Sequence, residues 1–344
     1  MKYLGKFRRS VMAVLVVAAF GWLAATPASA QTKLEVAYIP IMPMTQLFIL
    51  DQEGWAKEAG LDLKLTKFSS GPAIVQAIAS GKFDVIYFGI GPAMVARANG
   101  IPIKVVAANG IEQIAMIAQG DFRKYIDEAA SPAEGVRKFT ADKGRKPKIA
   151  SLPKGSVPDT VFRHWLIKIA GLTEKDVDIV GMGAGKVQQA MLSRSVDGAS
   201  ILEPIITIIK ERLPDAGIIA TGGDMLPKQP GAIVAVREKA LADHPEAIKK
   251  LVALHKRATD LITSDPERAA KDVHAAIGQG LVPVETIQAA LQSRLNQFIA
   301  DPRLIIAATK TMHDFQAEIG ALKKPVPLDE LFDTSIYEAV VSGK

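Results

Sequence analysis

The chain has 344 residues, of which 49% are hydrophobic and 23% charged, an ordinary composition for a globular protein with room for two domains. It contains no cysteine, which excludes disulfides, cysteine nucleophiles and a lipid-modified cysteine. The formal net charge is +6, but residues 1–30 hold four basic residues and no acid, so the remainder is nearly neutral. A surface for binding nucleic acid is therefore not expected.

Residues 1–30 have the pattern of an export signal. A cationic start, "MKYLGKFRR", precedes the apolar run "SVMAVLVVAAFGWLAA", and small residues lead up to Ala30. The apolar run is too short to span a bilayer comfortably, which takes ~20 residues, so a retained membrane anchor is the less favoured alternative. We expect cleavage after Ala30 and a mature protein in the periplasm. Arg8 and Arg9 would permit twin-arginine export, but their surroundings fit general secretion better.

From residue 33 onward, short apolar runs alternate with helix-length amphipathic segments. This alternation predicts βαβ units and parallel sheets. The predicted strands are 34–39, 61–68, 83–90, 101–109, 148–152, 177–182, 197–204, 216–221 and 232–236. A charged segment, 120–147, interrupts them with one helix that begins at Ser131 and Pro132.

The two strand series predict an α/β protein with two lobes. We assign 31–112 and 222–344 to the first lobe and 113–221 to the second, after the export signal at 1–30. From Lys239 the chain is almost wholly helical, and we expect this region to pack on the first lobe.

The turns that follow the predicted strands are the candidate ligand site. In open α/β sheets, ligands bind outside the carboxyl ends of the strands, and helix N-termini there suit anions. Each polar candidate also has an alternative role that involves no ligand. The serines could cap helices, the lysines could be simply solvated, and the glutamate could pair with the start of a helix. The candidate residues are Pro40, Met42, Thr45, Gln46, Ser69, Ser70, Gly71, Gly89, Ile90, Gly91, Asn109, Lys154, Gly155, Ser156, Gly183, Lys186 and Glu203.

Signs of catalysis are weak. The five histidines show neither a metal-binding motif nor a cluster, and no serine nucleophile elbow is present. "GMGAGK" (181–186) lacks the full dinucleotide fingerprint. We therefore expect neither a cofactor nor a metal, and no enzymatic activity.

Four turn motifs stand in a fixed order along the chain. They are Gly71-Pro72, Gly89 to Pro92, Gly155-Ser156 and Glu203-Pro204. With the export signal and the stretch "KFSSGPAIVQAIASGKFDVIYFGIGPAMVARANGIPIKVVAA", they make the chain resemble the nitrate/sulfonate/taurine type of ABC-importer substrate-binding protein, also called the NMT1-like family.

The resemblance implies a bilobed periplasmic-binding-protein fold, type II-like, with two hinge crossovers and a ligand between the lobes. The ligand would be a small organic molecule, anionic and sulfonate-like or aromatic, delivered by a monomeric protein to a membrane permease. Pro40 and Pro43 would stiffen the first turn, so that Thr45 and Gln46 meet the ligand. The apolar Met42 beside them favours a ligand with an apolar body.

Two alternatives remain open on the sequence. A pyrimidine-precursor-synthase-like enzyme shares the fold of this family. A periplasmic sensing subunit would present its ligand to a receptor kinase instead of a permease.

Overall fold

The computed structural model of the protein describes residues 31–278 and 282–343. The expected export signal, 1–30, lies outside the described residues. Within them, no helix combines the length and the apolar character that a membrane crossing requires.

The first of two five-stranded sheets is built mainly from the amino-terminal half of the chain. The strand order is β2-β1-β3-β11-β4. β1 pairs in parallel with β2 and β3, whereas β11 runs antiparallel to β3 and β4. The strands are β1 (Thr32–Tyr38), β2 (Leu61–Lys67), β3 (Val85–Gly89), β4 (Ile103–Ala108) and β11 (Ala232–Arg237).

The second sheet lies within residues 114–221 and has the order β10-β6-β9-β7-β8. β7 pairs in parallel with β8 and β9, whereas β6 runs antiparallel to β9 and β10. The strands are β6 (Ile114–Ala118), β7 (Lys148–Ser151), β8 (Asp178–Gly181), β9 (Gly198–Leu202) and β10 (Gly217–Thr221). A small antiparallel pair joins β5 (Gly110–Ile111) to β12 (Gln297–Phe298).

The expected parallel pairing is present in both sheets, but each sheet also has antiparallel pairs, and the two chain crossovers explain why. The chain leaves the first sheet at Ala108 and enters the second at Ile114; it returns from Thr221 to Ala232. Each entering strand starts at the edge where the parallel strands end, so it must run in the opposite direction. The pairing of Ile114 with Leu202, the last residue of β9, illustrates this geometry.

The crossovers are hydrogen-bonded to each other. The N–H of Asn109 donates to the carbonyl of Ala232 (2.9 Å), and the N–H of Gly231 donates to the carbonyl of Gly110 (3.1 Å). The N–H of Glu112 donates to the carbonyl of Gln229 (2.8 Å). The two connections between the sheets therefore form one continuous ladder.

Helices cover both sheets, and several begin with the predicted signals. Ser131 accepts a hydrogen bond from the N–H of Glu134, and Pro245 and Pro266 open successive helices. The amino-terminal helices are α1 (Thr45–Gln52), α2 (Trp55–Glu58), α3 (Gly71–Ile78), α4 (Ile90–Ala98), α5 (Gly120–Asp127), α6 (Pro132–Lys143), α7 (Val157–His164), α8 (Ala184–Leu192), α9 (Ile205–Arg212) and α10 (Gly222–Met225).

The charged segment thus forms two helices, α5 and α6, where one was predicted. Short 3₁₀ segments occur at Met42–Met44 and Pro302–Ile305, and π-helical turns at Trp165–Ile169 and His274–Gly278.

The carboxyl-terminal helices pack on the first sheet, as expected. α12, α16 and α17 contact β4, and α1 packs between α12 and α13. They also reach the second sheet's helices, since α15 contacts α7 and α14 contacts α9. These helices are α11 (Glu238–Asp243), α12 (Pro245–Ser264), α13 (Pro266–Val273), α14 (Val284–Leu291), α15 (Ile306–Glu318), α16 (Leu328–Leu331) and α17 (Ser335–Ser342).

Candidate functional site

A small cavity lies where the strand ends of the two sheets meet. Its volume is about 30 Å³, room for about one or two water molecules. Its wall contains turns from both sheets and from both crossovers. The lining residues are Ile39, Ile41, Pro43, Met44, Gly71, Gly89, Pro92, Gln113, Ile114, Leu152, Ser156, Val157, Pro158, Leu202, Gly231 and Ala232. We call this the central cavity.

Two larger spaces share lining residues with the central cavity. A groove of about 860 Å³ shares Ile39 and Ile41 with it, and a second space of about 510 Å³ shares Pro92. We call the three spaces together the cleft. The groove wall includes Pro40, Ser69, Gly183 and Lys186, and the second space includes Lys154 and Gly155.

Of the predicted ligand residues, three line the central cavity: Gly71, Gly89 and Ser156. They belong to the turns that open α3, α4 and α7. Ser70 caps α3 by accepting a hydrogen bond from the N–H of Ala73 (3.4 Å), the alternative to a ligand contact that the sequence also allowed. Ser156 caps α7 in the same way by accepting the N–H of Asp159 (3.4 Å).

Glycine is required at Gly89 because the two sheets approach closely there. A Cβ atom at this position would lie 2.6 Å from Cγ2 of Val157, which belongs to the opposite side of the cleft. At Gly91 a Cβ would lie 2.8 Å from Nε2 of Gln316 on α15. Its neighbour Ile90 is fully buried and donates its N–H to the carbonyl of Gly231 (3.1 Å).

The predicted role of Met42, Thr45 and Gln46 needs correction. All three are fully buried, and none lines the three spaces. The Thr45 hydroxyl donates to the carbonyl of Met42 (2.7 Å), and the Gln46 amide donates to the carbonyl of Asn109 (2.9 Å). The 3₁₀ turn directs these side chains inward, so Pro43 and Met44 form the wall instead.

Asn109 and Glu203 also act within the protein. The Asn109 side chain donates to the carbonyl of Pro43 (2.9 Å) and so fixes the first turn against the crossover. Both Glu203 oxygens accept hydrogen bonds from Thr207, from its N–H (2.9 Å) and its hydroxyl (3.0 Å). Burial raises the pKa of Glu203. Its role is therefore to satisfy the start of α9, a correction of the predicted ligand contact.

The two predicted lysines, Lys154 and Lys186, are exposed on the walls of the outer spaces. Among the residues that the structure describes, no ionisable side chain lines the central cavity. Charge is thus confined to the outer parts of the cleft.

Four residues that line the central cavity were not among the candidate ligand residues: Gln113, Pro43, Met44 and Gly231. Gln113 follows a predicted strand and precedes β6, which was not predicted, so its place on the cleft was not apparent. In the described part of the chain, no group of three histidine, aspartate or glutamate side chains could hold a metal ion.

The whole fold matches solved binding proteins. The periplasmic nitrate-binding protein of Synechocystis PCC 6803 superimposes with a TM-score of 0.74 at 14% identity, over 91% of this chain and 89% of that one. The alkanesulfonate-binding protein of Xanthomonas axonopodis pv. citri gives a TM-score of 0.70 at 16% identity, over 87% and 97%.

Sequence comparison agrees with the fold. A binding protein of Brucella abortus (strain 2308) is 28% identical over 306 residues, covering 85% of this chain and 86% of that protein. The model of the NMT1-like family matches residues 27–277, well over half of the sequence. The chain therefore belongs to the NMT1-like family.

Proposed function

We propose that the protein is the solute-binding component of an ABC importer, which holds a small organic molecule between two lobes and delivers it to a membrane permease. The observation that carries the proposal is the cleft where the strand ends of both sheets converge. Such clefts at strand ends are where open α/β sheets bind ligands. Membership of the NMT1-like family and the fold of its solved relatives support the same role.

The two lobes would be 31–112 with 222–344, and 113–221. The strands of the first sheet fall in the first set of residues and those of the second sheet in the other. The crossover ladder at 109–113 and 229–232 is the natural hinge, because it carries the only two chain connections between the sheets within the described residues. Ligand affinity for the closed form would shift the equilibrium between open and closed states.

Contacts across the cleft would then belong to the closed state. Gln316 on α15 donates to the hydroxyl of Thr160 on α7 (3.1 Å). Thr286 on α14 donates to the Glu211 carboxylate on α9 (3.0 Å). Opening the cleft would require these hydrogen bonds to break or shift.

The remaining parts of the proposal concern context. The protein would act without catalysing a reaction, as a monomer in the periplasm, and would reach the membrane only through its permease. The expected export signal and the periplasmic relatives support this location.

A ligand screen tests the proposal. The melting temperature would be measured with organic sulfonates, aromatic acids, carboxamides and lactams, each at a large excess. A true ligand at about 100 times its Kd adds about 2.7 kcal/mol of stability. We expect at least one compound to raise the melting temperature and to lower the radius of gyration in X-ray scattering. No response to any compound would contradict the proposal.

A further inference from the structure

The wall of the central cavity is almost entirely apolar. Gln113 and Ser156 are the polar side chains among its lining residues. The Ser156 hydroxyl already accepts the N–H of Asp159. Gln113 is therefore the remaining side chain on this wall whose polar groups need a hydrogen-bond partner.

Gln113 is fully buried, yet its amide is unpaired. Within residues 31–278 and 282–343, neither Nε2 nor Oε1 has a hydrogen-bond partner. Leaving both a donor and an acceptor of one buried side chain unpaired is costly, so this amide calls for an explanation.

Two glycines make the space that this amide occupies. A Cβ atom on Gly110 would lie 2.6 Å from Nε2 of Gln113, and one on Gly231 would lie 2.8 Å from Oε1. Gly110 and Gly231 belong to the two crossovers and are hydrogen-bonded to each other. The amide thus lies where the crossovers meet, and Gln113 is one of the residues that line the cavity.

The surroundings favour a neutral partner. No ionisable side chain of the described part of the chain lines the cavity, so an anion there would lack a compensating cation. The helix N-termini offer few donors: Pro72 and Pro158 have no N–H, and the N–H groups of Ala73, Ile90 and Asp159 are already paired. The three helix dipoles still favour a partial negative charge, such as a carbonyl oxygen.

We infer that Gln113 is a ligand-recognition residue that selects a neutral group with an adjacent donor and acceptor, a carboxamide or a lactam. Nε2–H donates to the carbonyl oxygen of that group, and Oε1 accepts its N–H. The apolar wall holds the hydrocarbon body of the ligand. This inference rests on the proposed function, because it requires that the cleft binds a ligand.

The first test uses ligand-free protein, stripped by unfolding and refolding. A residue kept for a ligand is suboptimal for stability, so Gln113→Leu should raise the melting temperature by about 2 °C or more. Gln46→Leu is the matched control, since Gln46 is equally buried but its Nε2 donates to the carbonyl of Asn109, and this substitution should lower the melting temperature. A melting temperature of Gln113→Leu at or below that of wild type would overturn the inference.

The second test measures binding by calorimetry. The neutral probes are benzamide, nicotinamide and 2-pyridone, and the anionic probes are benzoate, nicotinate and benzenesulfonate. We expect at least one neutral probe to bind more tightly than every anion, and Gln113→Leu to weaken it at least about tenfold, the loss of a desolvated hydrogen-bonding pair.

Tighter binding of an anion, no binding of any neutral probe, or neutral binding that Gln113→Leu leaves unchanged would each refute the inference. Anion binding accompanied by compaction would leave the proposed function standing. Failure of every compound in the broader screen would instead refute the proposed function.

Discussion

The N–H of Lys228 donates to the Glu112 carboxylate at 2.7 Å, and both residues adopt the left-handed backbone conformation, with φ of 55° and 54°. They face each other on the two crossovers. The backbone conformation is unfavourable for residues other than glycine, so the crossover ladder holds both in place.

The strain at Lys228 predicts opposite responses to two substitutions. Its side chain is exposed, and its backbone makes the bond to Glu112. Lys228→Val should lower the free energy of unfolding by about 1–2 kcal/mol, because a β-branched residue tolerates positive φ poorly. Lys228→Gly should leave it unchanged or raise it. Urea denaturation measures both, and equal losses in the two variants would refute a backbone origin.

The Gln46 amide is a structural group, and its replacement tests that assignment. Gln46→Ala removes the hydrogen bond to the carbonyl of Asn109 and leaves a space in the core. The free energy of unfolding should fall by about 2–4 kcal/mol. Ser69, exposed on the groove wall, provides the control, and Ser69→Ala should change stability by less than about 0.5 kcal/mol. Full stability of Gln46→Ala would restore Gln46 as a candidate ligand residue.

Gly89 sets how closely the two sides of the cleft approach. In Gly89→Ala the new methyl group would overlap Val157, and overpacking of this kind costs about 1–3 kcal/mol. We expect the cleft to open, which X-ray scattering would detect as a larger radius of gyration. Gly185→Ala is the control, since nothing lies within 4 Å of a Cβ there. Identical scattering curves for Gly89→Ala and wild type would show that the approach is not limiting.

His255 links the first sheet to α12 and predicts a pH dependence. Its Nε2–H donates to the carbonyl of Ala108 (2.8 Å), and its ring lies against Tyr87. Burial lowers the pKa of His255 to about 4, so the folded protein keeps it neutral where the unfolded chain, with a pKa near 6.5, takes up a proton. The free energy of unfolding is therefore unaffected by His255 titration above pH 6.5. It falls by about 3 kcal/mol as the pH drops to about 4.

Comparison of variants isolates this effect. Burial raises the pKa of Asp272 to about 6. Protonation of this carboxyl group therefore stabilises the folded protein as the pH falls, over part of the range in which protonation of His255 destabilises it. His255→Gln should therefore flatten the acid limb of the stability curve relative to wild type, whereas His244→Gln, at an exposed position, should not. Parallel acid limbs for wild type and His255→Gln would contradict the assignment.

Much of the fold follows from local patterns in the sequence. The carboxyl ends of β1, β2 and β3 lie one residue from their predicted positions, because each apolar run is followed by a glycine, proline or serine turn. β6, "IAMIA", was missed because all five residues are buried and show no alternation. The direction of β6 and β11 depends on the crossovers, which local patterns do not encode.

The site was less predictable than the fold. Gly71, Gly89 and Ser156 were predicted because strand ends converge in this class of sheet, and they line the central cavity; their contact with a ligand stays a prediction. Gln46 and Asn109 were misassigned because polar residues after a strand can equally well bind the backbone of a neighbouring turn. Gln113 was missed because its burial depends on Gly110 and Gly231, and Gly231 is distant along the chain.

A crystal structure with a ligand found by the screen or co-purified from the native host would show where the ligand binds. We expect density for the ligand between the two sheets, in contact with the amide of Gln113 and the turn at Ser156. Ligand density on an outer surface, with the strand ends of the two sheets packed together and unoccupied, would contradict it.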